Sequence, residues 1–195
     1  MSDIEFIVSF SALLCGLLLA NVANNVGDAL RARKDLPVGF VPWAINFYIS
    51  TAVINSFLIL SDVQETLPLE VVSLTTTLLS ILPYIVVSRL LYPEHKEKWA
   101  SVEDYYIANR KMILCIMLIP GCTFAFSQFY YPLGRPSQEI AFILAVGIAP
   151  VIATLGLLLF TEKRRLHRIG FGFLIAHRTA LLILTALIQA GYLSL

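Results

Sequence analysis

The run Ser11–Lys34, SALLCGLLLANVANNVGDALRARK, decides how this chain folds. It begins as an uninterrupted apolar helix, then sets Asn21, Asn24, Asn25 and Asp28 in its last turns before Arg31, Arg33 and Lys34. At about 3.6 residues per turn those four polar side chains fall within an arc of about 100° and share one face. Hydrocarbon offers no hydrogen-bond partner, so a polar face on a membrane helix must look at protein or water. The rest of the chain has to supply those partners.

Working outward, 58% hydrophobic and 14% charged residues over 195 positions, with a mean hydropathy of +0.80, exceed what a soluble chain of this size can bury. The apolar residues come in six runs of about 20, the length that crosses about 30 Å of hydrocarbon. The expected fold is all-α: an integral membrane bundle of six transmembrane helices forming one domain over residues 1–195. The spans are expected at about 4–30, 40–60, 67–91, 106–130, 139–160 and 169–192. The opening MSDIEF has neither a basic segment nor a small-residue cleavage site, so the first span is expected to be retained.

Twelve of the 14 basic residues sit in or beside the first, third and fifth loops, while the other loops and both tails carry only Arg135. The positive-inside rule then puts both termini outside the cytoplasm. Trp43 and Tyr92 near the inner ends, and Tyr130, Tyr131 and Tyr192 near the outer ends, sit where an aromatic belt would place them. The basic residues form no single stripe, which argues against a nucleic-acid partner. The lipid bilayer is the partner that composition demands. Pro83, Pro120 with Gly121, and Pro150 fall inside spans, where each frees a backbone carbonyl.

The third loop is the one long cytoplasmic segment. Ser101 to Asp104 reads as a capping box that opens the fourth span, with Tyr105 and Asn109 on one face and Arg110 beside them at the membrane edge. With Trp99, Asp104, Tyr105, Asn109 and Arg110 this stretch is either a well-capped helix start or a docking surface for a cytoplasmic protein. A first helix rich in Gly and Leu that ends in Arg-Ala-Arg, followed later by Asp104, Tyr105, Asn109 and Arg110 ahead of the fourth span, resembles small bacterial multi-pass membrane proteins of unassigned function. The resemblance implies a bacterial inner membrane and carries no activity.

A second polar face runs along the third span: Ser73, Thr76, Thr77, Ser80, Tyr84 and Ser88 lie within an arc of about 120°. Hydroxyls there either bond back to their own helix or line a hydrated path. The second span adds Asn46 and Asn55 on opposite faces; the sixth adds His177 and Arg178. Lined by the first, third and sixth spans, a polar cavity open to the cytoplasm is expected, and it fits a small-solute or ion transporter or channel. Within it, Arg178 either pairs with Asp28, bridged by Asn25, or snorkels to the interface.

Other chemistries find little support. His95 and His167 read as loop residues without metal-ligand spacing, and no metal, cofactor or catalytic residue is expected. Enzyme is the weakest class. Cys15, Cys115 and Cys122 fall in spans, where packing is expected and disulfides are not. Ala141, Ala145, Ala149 and Ala153 make a small-residue ridge suited to an internal seam or, less favoured, to the interface of a homo-oligomer. The alternative to transport is a membrane sensor or scaffold that engages a soluble partner through its cytoplasmic loops.

Overall fold

The computed structural model describes residues 3–32, 36–63, 71–130 and 137–190; loops 64–70 and 131–136 and the side chain of Ser73 lie outside the described residues. Every described regular element is helical: α1 (Asp3–Ala32), α2 (Phe40–Val63), α3 (Val71–Leu90), a 3-10 turn at Lys96–Lys98, α4 (Val102–Tyr130), α5 (Ser137–Phe142), a π-helical segment (Ile143–Ile148), α6 (Ala149–Leu159) and α7 (Arg164–Gln189). Val8–Arg31, Val102–Gln128, Ile140–Leu159 and Arg164–Leu187 are long and apolar enough to cross a membrane, and Thr75–Leu90 is a shorter apolar helix.

The helices pack as a ring, α1 on α3, α3 on α4, α4 on α6, α6 on α7, α7 on α2 and α2 back on α1. The exception is α2, which also reaches across to α3 and α4. Apolar residues are spread around its whole circumference. Val41, Ala44, Ile45, Tyr48, Ile49, Ala52 and Val53 are buried in the bundle, while Phe40, Phe47, Ile54 and Phe57 are exposed. Large apolar side chains such as Leu13, Leu17, Phe126, Leu157 and Phe160 turn outward, the arrangement a hydrocarbon surround favours.

Two helices start earlier than their apolar runs. Helix α4 begins at Val102, because Ser101 Oγ accepts the Asp104 backbone N–H at 3.0 Å and donates to Asp104 Oδ2 at 2.6 Å. Helix α7 begins at Arg164, before the expected Ile169; its cationic first turn faces acids of α4, which offset the unfavourable end of the helix dipole. His167 therefore lies in a helix, fully buried, and the expectation of a loop histidine is corrected.

The ridge of Ala141, Ala145, Ala149 and Ala153 is exposed along its length, which overturns the internal seam. In α6 it is Val151, Leu155 and Leu158 that face inward. Cys115 and Cys122 also turn outward; Cys15 is buried.

At one end of the bundle the turn before α2 meets the start of α4: the Val102 N–H donates to the Pro37 carbonyl at 2.9 Å. Gly39 has φ +79°, and a Cβ built there would lie 2.8 Å from Glu103 Cβ and closer still to its carboxylate. Gly39→Ala is therefore expected to cost about 1–3 kcal/mol from the left-handed backbone alone, with the collision in addition. A lower thermal midpoint of the detergent-solubilised protein, against an unchanged Gly16→Ala control, checks it; nothing approaches a Cβ at Gly16.

Candidate functional site at mid-depth of the bundle

The asparagine face of α1 has its partners on α3. Asn21 Nδ2 donates to Ser88 Oγ and Asn25 Nδ2 to the Ser88 carbonyl, each at 2.6 Å. Ser88 Oγ in turn donates to the Ile85 carbonyl at 2.8 Å. Two amides on successive turns thus hold one wholly buried serine. Asn24 is exposed, and so is Asp28, whose carboxylate meets Arg31 at 3.5 Å. Further along α3, Ser80 donates to the Thr76 carbonyl at 2.8 Å; Thr76 and Thr77 are half-buried. The polar faces of α1 and α3 meet at Ser88.

This arrangement corrects the expected Asp28–Arg178 pair. Helix α2 stands between α1 and α7, so Asp28 remains at the bundle's end while Arg178 meets α2. Nor does Arg178 snorkel. At about 1.5 Å per residue it lies about 21 Å from Arg164 and about 16 Å from Gln189, beyond the reach of its own side chain to either end of α7.

Arg178 instead joins two tyrosines. Its Nη2 donates to the Tyr48 hydroxyl at 3.3 Å, and its guanidinium carbon lies 5.4 Å from the Tyr48 ring centroid. The Tyr48 ring meets Tyr84 edge-on, centroids 6.3 Å apart. Tyr48 and Tyr84 are 0% and 3% exposed, so α2, α3 and α7 meet here in the interior. Arg178 Nε is buried and has no acceptor among the described residues. The sequence holds no Asp or Glu after Glu162, none between Asp35 and Asp62 and none between Glu70 and Glu94, so none of these three helices brings an acid to this depth.

His177, next along α7, faces the π segment. Its Nε2 lies 2.7 Å from the Val146 carbonyl, and Phe173 stacks on its ring. Pro150, four residues after Val146, has no N–H to give that carbonyl. A carbonyl only accepts, so Nε2 carries the proton, and Nδ1 is left buried without a partner among the described residues. Toward the end of α7, Thr185 Oγ1 donates to Asn55 Oδ1 at 3.4 Å.

Beyond this region the polar groups are mutually engaged. Asn46 Nδ2 donates to the Tyr92 hydroxyl at 2.8 Å. Arg168 makes a two-pronged pair with Glu103 at 2.9 and 3.2 Å, Arg110 meets Glu162 at 2.7 Å, and Arg164 meets Asp104. His167 sits between the Tyr106 hydroxyl at 2.9 Å and the Thr161 carbonyl at 3.0 Å. The residues expected to dock a partner are drawn into this network or into their own helix: Trp99 packs edge-on against Tyr105, and Asn109 donates to the Tyr105 carbonyl. Tyr48, Glu103, Tyr106 and Arg168 escaped the sequence reading. Glu103, Tyr106 and Arg110 do recur along one face of α4, and the acids that open α4 face the bases that open α7.

The long apolar helices and an interior cation are the build of an α-helical integral membrane protein. Comparison with family models, with curated proteins and with solved structures finds no match.

Two outcomes check the network. Arg168→Ala leaves the buried Glu103 carboxylate without its counter-charge and lowers the thermal midpoint, whereas Arg165→Ala, exposed on the same turn, leaves it in place. Burial pushes the Tyr92 hydroxyl, in the turn after α3, up to about 12, the bond from Asn46 acting in the opposite sense. The fold keeps this phenol neutral longer than the unfolded chain does. Its contribution to stability is complete below about pH 10 and lost toward pH 12. A phenolate difference titration of wild type against Tyr92→Phe should place that one tyrosine near 12.

Proposed function

We propose that this chain is a six-span transporter or channel that moves a small solute or ion across a bacterial inner membrane, as one domain with both termini outside the cytoplasm. Arg178 carries the reading. A guanidinium held at mid-depth costs several kcal/mol without a counter-charge, and ionisable groups at such depth mark ion and substrate paths. Tyr48 and Tyr84 share the interior position, while Asn46 and Tyr92 lie toward one end of α2 and Asn55 and Thr185 toward the other.

Support for the expected pathway residues is uneven. Tyr84, Arg178 and Asn46 stand along the interior of α2, α3 and α7, whereas His177 faces the π segment. Asn21 and Asn25 hold Ser88 of α3, Ser80 bonds back within α3, and Asn24 and Asp28 face outward. The exposed alanine ridge supports a homo-oligomer over an internal seam. The scaffold reading draws less support, because Trp99, Asp104, Tyr105, Asn109 and Arg110 are engaged within the chain.

Proteoliposomes test the reading directly. Flux of sodium, potassium, chloride, amino acids and short organic acids is measured with wild type and with Arg178→Gln. Protein-dependent flux of one class, cut at least about tenfold in the variant, is expected. A monodisperse wild-type protein that moves none of them overturns the reading.

A further inference from the structure

We propose that Arg178, Tyr48 and Tyr84 form a binding site for a small monocarboxylate; this rests on the transport reading and names the class of its substrate. The inventory of donors and acceptors carries the argument. A guanidinium has five N–H donors and no acceptor, and the described residues take one of them, through the Tyr48 hydroxyl. Nε stays buried and unpartnered. Tyr84 packs edge-on against Tyr48 in the same buried cluster. The site therefore offers several donors and one fixed positive charge, with no acid on its three helices at this depth. Such a set selects an anion and rejects a cation.

Shape and charge narrow the class further. Nε–H and an N–H of Nη2 run side by side in the guanidinium plane, the edge that takes both oxygens of a planar carboxylate. Tyr48 holds Nη2 and covers one face of the group, which fixes that edge in place. A single negative charge neutralises the single cation, whereas a dianion would leave a net charge in the low-dielectric interior. Arg178 is partly exposed as a residue, while its Nε is covered. A short monocarboxylate such as acetate or propionate meets all of these conditions.

The test uses the full-length protein in neutral detergent, titrated with sodium acetate or sodium propionate against sodium chloride at constant ionic strength, with the thermal midpoint as readout. Saturable stabilisation by the carboxylates, with an apparent affinity at least about tenfold above that for chloride, is expected. Arg178→Lys keeps the charge and loses the fork, so the carboxylate preference should collapse while the protein stays folded. Tyr48→Phe should weaken acetate about tenfold. Equal responses to acetate and chloride, or an acetate response that survives in Arg178→Lys, overturn the proposal. So does the absence of any carboxylate response in wild type, a result that needs no variant to fold. The two readings fail separately: flux of a cation or neutral solute without carboxylate binding removes the site's assignment and leaves transport, whereas carboxylate binding without flux removes transport and leaves the site.

Discussion

The pairing of Glu103 with Arg168 ties three parts of this chain together. Glu103 stands in the first turn of α4, Arg168 in the second turn of α7, and the carboxylate lies against Gly39 in the turn that opens α2. One ion pair thus fixes the relative position of three helix starts. It works because the carboxylate is buried and receives two parallel N–H bonds, the geometry in which an Arg–carboxylate pair is strongest. Removing the glycine's freedom or the guanidinium's charge leaves a buried carboxylate badly placed. The surrounding Arg110–Glu162, Arg164–Asp104 and Tyr106–His167 contacts depend on the same registration of α4 against α7.

With the helix ends fixed in this way, irregularity is confined to the middle of the bundle. Pro150 withholds an N–H from Val146, the helix widens to a π segment, and the Val146 carbonyl takes His177. That bond orients the stretch of α7 on which Arg178 follows. His177 faces α5 and α6 while Arg178 faces α2, as successive residues about 100° apart must. The π segment and the buried guanidinium are therefore two sides of one region of α7. Widened turns of this kind concentrate at functional sites because they supply backbone groups that a regular helix consumes.

Much of the architecture was legible in the sequence, and the site far less so. Helicity and the approximate limits of each rod followed from runs of apolar residues, since length and hydropathy are local properties. The capping box at Ser101 was equally local. Which polar face meets which was not, because it depends on where α2 sits. Its apolar residues run round the whole helix, a pattern that does not tell which side packs on protein or which helices it meets. Once α2 occupies the space between α1 and α7, Asp28 and Arg178 are separated, and an aromatic residue in an apolar run, Tyr48, becomes the cation's neighbour. The alanine ridge misled for another reason: small residues at every fourth position mark a face suited to close packing, and the spacing does not tell whether that face meets this chain or lies outside it.

The contrast between Ser88 and Arg178 gives the interior its meaning. Both lie on apolar helices, and both present strong hydrogen-bonding groups to the bundle. Ser88 is met by two amides of α1 and bonds back to its own helix, so its donor and its backbone oxygen are all engaged. That is the ordinary solution, in which polar groups cement helices and leave nothing to offer a ligand. Arg178 has one bond to a neutral hydroxyl, a ring face and an unpartnered Nε. A neutral hydroxyl does not neutralise a cation, and the low dielectric that strengthens the bond also raises the cost of the uncompensated charge. A structural role would have been met more cheaply by glutamine or leucine. The arginine makes physical sense when a negative charge arrives from outside the chain.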